Sequence, residues 1–160
     1  MGFFSKKNKN RSIGVLLVDG LSIYSRDVIL QITLNNENEC LTINSKVCKN
    51  IPDINLKYKQ IIDANIITRY EIVKQSKSVV GRAAIGGLLL GSLGATVGGM
   101  SGTGTKTDDQ IEYYFVVNYR NKDEELKVLS FKIIGFSVWR PFIKELKSKI
   151  KQNIEKEIYL

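Results

Sequence analysis

The sequence predicts an α+β fold in which a bent antiparallel sheet or near-barrel of about six or seven strands is capped by a C-terminal amphipathic helix. Segments that alternate apolar and polar residues fill most of the chain before position 136, as strands with one buried face do. One apolar stripe with helical spacing follows them. Strands grouped before a single helix are typical of α+β proteins, whereas parallel α/β folds alternate the two kinds of element.

The first clear hairpin is formed by Val28–Leu34 and Cys40–Asn44. In the first segment, apolar residues alternate with Gln31 and Thr33, which is the period of a half-buried strand. Residues 35–39 are rich in Asn and Glu and form the turn. The second segment returns as the partner strand.

Further strands are expected on both sides of this hairpin, because residues 12–74 read mostly as strand. Segments 54–58 and 61–73 are rich in Ile, Thr and Tyr, which favour a pleated, packed surface over a helix. Later in the chain, the odd-numbered residues of Ile111–Tyr119 are apolar or aromatic and fall on one face of a strand. Residues 126–134 pair back with that strand as a second hairpin.

The C-terminal helix is predicted over residues 137–158. Ser137 is a suitable N-cap, and Pro141 falls within the tolerant first turn. Phe142 lies at the edge of the apolar stripe, and the lysines lie mainly off it. The stripe consists of Trp139, Ile143, Leu146, Ile150, Ile154 and Ile158.

The domain organisation is a basic N-terminal tail, residues 1–11, followed by a single domain, residues 12–160, because 160 residues are enough for one core. The formal net charge is +8, but it is concentrated at the two ends of the chain. Residues 12–136 carry 14 bases and 13 acids, so nucleic acid is an unlikely partner for the body of the domain. The tail cations are Lys6, Lys7, Lys9 and Arg11.

The composition argues against an enzyme. The chain has no histidine, which excludes His-dependent triads and His-containing zinc sites. Its two cysteines, Cys40 and Cys48, lack the spacing of a redox or metal motif and indicate a reducing compartment, the cytoplasm. The Gly-rich stretch before Thr107 departs from a phosphate-binding loop, because Thr105 separates Gly104 from Lys106. No catalytic, cofactor or metal site is predicted.

The most unusual feature is a Gly-rich apolar insertion at residues 77–107. Nine of the 13 glycines lie between Gly81 and Gly104, and Arg82 is the single charge from Val79 to Met100. Small residues three or four apart allow helices to pack closely in lipid. The residues expected to contact a membrane or another copy are Gly87, Gly91, Gly94, Gly98, Leu88, Leu89, Leu90, Leu93 and Val97.

Topology favours a hairpin for this insertion, because both of its ends must return to the same sheet. A turn near Gly91–Gly94 leaves two arms of about 16 Å each, which is half a hydrocarbon core. Arg82 at the base fits entry from the cytoplasmic side. Three interpretations stay open: a re-entrant membrane hairpin, a hairpin buried in protein that drives self-association or packs on the domain, and a flexible loop.

Three features together resemble a known family. Leu56–Ile61 reads Leu-Lys-Tyr-Lys-Gln-Ile, residues 80–99 form the Gly-rich run, and a Trp139 helix ends the domain. This pattern resembles pleckstrin-homology-like (PH-like, GRAM-like) domains, and more narrowly small Firmicute and prophage proteins with a glycine-zipper-like insertion. Phosphoinositide-binding members use basic residues around the loop between their first two strands. The candidate loop, residues 35–39, has two acids and no base, so phosphoinositide recognition is not expected.

The resulting expectation is a non-enzymatic bacterial protein that forms homo-oligomers and associates with the inner face of the cell membrane. The Gly-rich hairpin is the effector element, and the basic anchors are the four tail cations and Arg82. A more specific version is a membrane-perturbing role, as in toxins or phage-defence effectors. The alternative is a soluble scaffold or protein-binding module whose hairpin mediates oligomerisation or partner binding.

Overall fold

A computed structural model describes residues 10–76, 84–99, 111–135 and 138–157. Within these ranges, seven antiparallel strands form one sheet and a C-terminal helix packs against it, which confirms the predicted α+β class. In chain order, the elements are β1 (Ser12–Asp19), β2 (Ile29–Asn35), β3 (Cys40–Asn44), β4 (Ile54–Lys57), a 3₁₀ turn (Tyr58–Gln60), β5 (Ile61–Thr68), α1 (Arg69–Ser76), β6 (Ala84–Ile85), β7 (Leu88–Leu89), α2 (Leu93–Gly99), β8 (Tyr113–Arg120), β9 (Leu126–Ile133) and α3 (Trp139–Glu157).

The sheet has the strand order β4-β3-β2-β1-β9-β8-β5, with β6 and β7 paired separately. The two predicted hairpins are present: Ile32 of β2 pairs with Ile43 of β3, and Phe115 of β8 pairs with Phe131 of β9. The antiparallel pairing of β1 with β9 joins the first part of the sheet to the last. Alternation of apolar and polar residues therefore predicts the hairpins, while the β1–β9 pairing depends on the folded chain.

The main core lies between one face of the sheet and α3. Phe142 is fully buried there, edge-to-face with Phe115 at a ring-centroid distance of 5.6 Å. The predicted apolar stripe of α3 is correct, but its centre is Phe142 and Leu146, whereas Ile154 is 49% exposed. The helix packs on the sheet through its first three turns, up to Ile150, so the later stripe position Ile154 reaches the surface. The predicted cap Ser137 and the last stripe residue Ile158 lie outside the described residues.

The prediction of a strand over residues 61–73 is wrong beyond Thr68, where α1 begins. Thr68 and Glu71 form a capping box, a reciprocal pair that satisfies free N–H groups at a helix start. The Glu71 backbone N–H donates to Thr68 Oγ1 at 3.2 Å, and the Thr68 backbone N–H donates to Glu71 Oε2 at 2.7 Å. This local signal competes with the β-favouring composition of the segment and ends the strand.

The strand β8 is buried on both faces rather than on the one face that the sequence predicts. Phe115 and Val117 point into the main core, while Tyr114 and Val116 are buried on the opposite, outer face. The outer face is covered by α1 and by residues 84–99, which a pattern confined to the strand does not show. The buried side chains between these layers form the outer cluster: Ile67, Ile72, Leu88, Leu90, Leu93, Val97, Tyr114 and Val116.

Candidate interaction site on the outer face

The part of the Gly-rich insertion that the structure describes, residues 84–99, lies on the outer face of the sheet and is called the docked segment below. It begins with the β6–β7 hairpin, in which Ala84 pairs with Leu89 and Ile85 pairs with Leu88. Gly86 and Gly87 form the two-residue turn with φ of 58° and 87°. A two-residue turn with positive φ at both positions favours glycine, and this explains why the chain reverses here.

The predicted hairpin turn near Gly91–Gly94 is therefore wrong for the described residues. The reversal occurs at Gly86–Gly87, and the chain then enters α2 at Leu93. The four expected zipper glycines do not share one helix: Gly87 lies in the hairpin turn and Gly91 in the turn before α2. Only Gly94 and Gly98 lie on α2, so within the described residues the single helical stripe of four is not formed.

The docked segment buries four of its five predicted apolar contact residues in the outer cluster. Leu88, Leu90, Leu93 and Val97 are 0–3% exposed, and Leu89 is half-buried. Their partners across the interface include Tyr114 and Val116 of β8. In this structure these side chains contact their own chain, while their predicted contact with a membrane or a second copy stays a prediction.

A buried amide anchors the segment. Asn118 of β8 is 3% exposed, and its side chain forms two hydrogen bonds with the backbone of Leu89. Asn118 Nδ2 donates to the Leu89 carbonyl at 2.8 Å, and the Leu89 N–H donates to Asn118 Oδ1 at 2.8 Å. The amide thus acts as a strand neighbour for β7, which lies over the face of the sheet. Three residues further along the segment, Ser92 Oγ hydrogen-bonds to Asp19 Oδ2.

The described residues on either side of the insertion meet at a charged cluster beside the outer cluster. The Arg69 N–H donates to the Glu112 carbonyl at 3.0 Å, so the chain leaves and re-enters the sheet at one place, as the topology argument predicts. The Glu112 carboxylate accepts hydrogen bonds from Lys132 Nζ at 3.1 Å and from the Tyr114 hydroxyl at 3.0 Å. Arg69 lies 3.6 Å from the same carboxylate.

These contacts shift the ionisation of the cluster. Partial burial acts to raise the pKa of Glu112, but the hydrogen bonds from Lys132 and Tyr114 and the charges of Lys132 and Arg69 lower this pKa below its usual value. Burial, with the adjacent Glu112 charge, raises the pKa of Tyr114 to about 12. The cluster borders a cavity of about 440 Å³, which Val97 of α2 also lines. Glu112 is therefore a structural anion between two cations, Arg69 and Lys132.

The described residues include no set of three or more His, Cys, Asp or Glu side chains placed to hold a metal ion.

The comparison with known protein families identifies the chain. A family model described as "Glycine zipper containing PH domain" matches residues 21–144, which is more than half of the sequence. The chain belongs to the glycine zipper-containing PH domain family. Comparison with curated proteins and with solved structures returns no match. The membership confirms the PH-like and glycine-zipper parts of the resemblance and indicates a module that interacts with membranes or proteins.

The order of the strands corrects one inference about this PH domain. Residues 35–39 connect β2 to β3, and the loop between the first two strands is residues 20–28. Because β1 precedes residues 20–28, the hairpin of β2 and β3 is not the first pair of strands. The loop between β1 and β2 contains Arg26 and Asp27. The acidic residues of the loop 35–39 therefore do not argue against phosphoinositide recognition.

The predicted basic anchors fall mostly outside the described residues, namely Lys6, Lys7, Lys9 and Arg82. Arg11 is described and belongs to the folded domain: its carbonyl accepts the Leu34 N–H at 2.8 Å. Its guanidinium Nε lies 2.7 Å from the Glu145 carboxylate of α3. Within the described part of the chain, no helix has the length and apolar character needed to cross a bilayer.

Sequence reasoning missed Asn118 as a site residue. The available signal was a single Asn within an apolar and aromatic run, since an amide buried in a strand must find a partner.

We expect Asn118→Ala to lower the free energy of unfolding by about 1–3 kcal/mol, because the Leu89 N–H and the Leu89 carbonyl each lose a hydrogen-bond partner. Hydrogen exchange of the Leu89 amide should accelerate more than that of the main core. Asn38→Ala, in an exposed turn, is the matched control, and equal exchange in both variants would contradict the anchoring role.

Proposed function

We propose that this PH domain is a non-enzymatic module that associates with membranes and with further copies of itself through the Gly-rich segment. One observation carries the proposal: the main core and the outer cluster are separate, and the main core contains no residue of the docked segment. The segment can therefore leave the outer face without opening the core between the sheet and α3. This separation supports a detachable element on a stable domain.

The energetics of detachment indicate what must replace the outer face. Exposing Leu88, Leu90, Leu93 and Val97 to water costs about 6–12 kcal/mol, at about 1.5–3 kcal/mol for each side chain. In water the segment therefore stays docked. The hydrocarbon core of a bilayer removes these side chains from water as the outer face does. A second copy offers its own outer face as a binding surface for them. Close packing at Gly94 and Gly98 would assist association between released segments.

The proposal has a more specific form, in which the released segments perturb the membrane as a toxin or phage-defence effector does. We place the protein at the inner face of a bacterial membrane, in a reducing compartment. Both cysteines are free in the structure, which fits that setting. Dye release from loaded vesicles, rising steeply with protein concentration, is the result expected from oligomeric perturbation.

A reversible cross-link tests the need for detachment. A Cβ added at Gly91 would lie 3.2 Å from Val128 Cβ, slightly below the Cβ–Cβ distance of about 3.5–4.5 Å in disulfides. We expect the oxidised Gly91→Cys/Val128→Cys variant, with Cys48→Ala to remove the half-buried native thiol, to lose high-salt-resistant vesicle binding and dye release. Reduction should restore both.

The controls are the two single-cysteine variants in the same Cys48→Ala background, treated with the same oxidant. They should behave like the reduced double variant, because neither can close the cross-link. If the oxidised double variant still binds vesicles at high salt, the docked segment need not leave the sheet. The proposal would then be wrong.

The burial of the segment favours a second candidate, a soluble scaffold or protein-binding module. Its four apolar side chains already have a complete set of partners in the outer cluster, so the segment can serve as a permanent cover. In that case the wild-type protein should fail to float with vesicles at any salt concentration and should form a defined oligomer by light scattering. Deleting residues 79–104 should then change the oligomer size and lower the stability of the domain, while vesicle binding stays absent.

A further inference from the structure

The helix α3 presents a stripe of cations to solvent. Arg140, Lys144, Lys147 and Lys151 are spaced four, three and four residues apart, which places them on one narrow face, and all four are exposed. We infer that this stripe is the surface through which the domain first contacts an anionic bilayer while the Gly-rich segment is still docked. The inference rests on the proposed function only in taking a membrane as the partner.

The stripe keeps its charge because the nearby acid is engaged elsewhere. Glu145 accepts Arg11 at 2.7 Å and Asn36 Nδ2 at 3.1 Å, so it does not neutralise the lysines. Within the described ranges, the stripe forms one ion pair, between Lys151 Nζ and Glu155 Oε1. These atoms are 4.0 Å apart, the longest distance that counts as an ion pair. Arg140 instead lies 4.8 Å from the centroid of the Trp139 ring.

The outer face offers a poorer surface for first contact. Its apolar residues are buried while the segment is docked, and two of its cations, Arg69 and Lys132, are already paired with Glu112. Arg26 also lines the cavity on this face, but Asp27 lines it too. A bilayer that meets the docked form therefore finds most of the unpaired positive charge on α3. Long-range attraction to anionic lipids depends on such unpaired cations.

The fold also brings Arg11, the described cation of the basic tail, to α3. The ion pair between Arg11 and Glu145 fixes the start of the domain to the middle of this helix. The tail lysines Lys6, Lys7 and Lys9 precede that point by only two to five residues.

Exposed apolar surface beside the stripe favours a bilayer over a nucleic acid. Ile154 is 49% exposed and shares a shallow depression of about 310 Å³ with Lys147 and Lys151. Asp63 and Glu155 also line this depression. The interfacial region of a bilayer accommodates an apolar side chain between lysine stems. The phosphate backbone of a nucleic acid attracts the cations but gains nothing from the apolar side chain.

The test uses flotation at low salt with vesicles that contain or lack phosphatidylserine. The variant Lys144→Gln/Lys147→Gln/Lys151→Gln should weaken binding about 100-fold, from about fivefold for each removed charge near the surface. The control Lys46→Gln/Lys49→Gln/Lys122→Gln removes the same charge from exposed loop lysines and should bind like the wild type. The stripe-dependent binding should require phosphatidylserine, and in the oxidised 91–128 cross-linked protein, where the segment stays docked, all binding should disappear at high salt.

The outcomes separate this inference from the proposed function. The oxidised 91–128 cross-linked protein should keep this salt-sensitive binding, so a failed insertion would leave the inference standing. Equal binding by the stripe variant and the wild type would overturn it, as would an equal loss in the loop-lysine control. Stripe-dependent binding to duplex DNA with none to anionic vesicles would also overturn it and assign the surface to nucleic acid.

Discussion

Phe142→Ala is expected to lower the free energy of unfolding by about 3–5 kcal/mol. The ring is fully buried, and it packs edge-to-face on Phe115, which itself stacks on Phe131 at 6.0 Å. Removing it leaves a cavity between α3 and the sheet that the rigid strands cannot close. The loss therefore combines reduced apolar burial with missing contacts around the cavity.

Chemical denaturation followed by fluorescence or circular dichroism measures this effect. The midpoint should fall while the dependence on denaturant concentration stays the same, because the surface exposed on unfolding is similar. Lys144→Ala, two residues further along the helix and exposed, should change stability by less than about 0.5 kcal/mol. A loss below about 1 kcal/mol for Phe142→Ala would contradict its place at the centre of the core.

Gly20→Ala is expected to lower the free energy of unfolding by about 2–5 kcal/mol, from backbone strain together with overpacking. Gly20 has φ of 109°, where L-residues are strained, and an added Cβ would lie 2.6 Å from the Val128 carbonyl oxygen. The same Cβ would lie 2.7 Å from Leu129 Cδ2. Relief requires moving β9, because the nearest atom is backbone.

Gly135→Ala separates the two causes for Gly20. Gly135 also has positive φ, 67°, but no heavy atom lies within 4 Å of an added Cβ. Its substitution should cost about 1–2 kcal/mol, the cost of a left-handed conformation alone. Thermal or chemical unfolding of both variants gives the comparison. Equal losses at the two positions would show that the approach to Val128 is relieved without cost.

Local patterns predict much of the sheet and α3. The alternation in Val28–Leu34 and the segment Cys40–Asn44 correspond to β2 and β3, because a strand with one buried face must alternate. The apolar stripe likewise predicts α3 within one or two residues of its described bounds. These patterns record which side of an element is buried, and that information is local.

Other features depended on competition between local signals or on distant partners. The capping box of Thr68 and Glu71 outweighed the β-favouring composition and began α1. Phe142 became the centre of the helix contact because the sheet meets the first three turns of α3, up to Ile150. The role of Asn118 followed from the position of Leu89, 29 residues away in the chain.

By itself, the sequence determined that the Gly-rich segment is apolar, carries one charge over residues 79–100 and needs a partner to be ordered. It also determined that the basic residues lie at the two ends. Only the tertiary structure decided that residues 84–99 cover the outer face of the sheet and that Arg11 meets α3 through Glu145. The physical reason is that a pattern of burial shows that a surface is covered, whereas the covering partner is chosen by contacts between residues far apart in the chain.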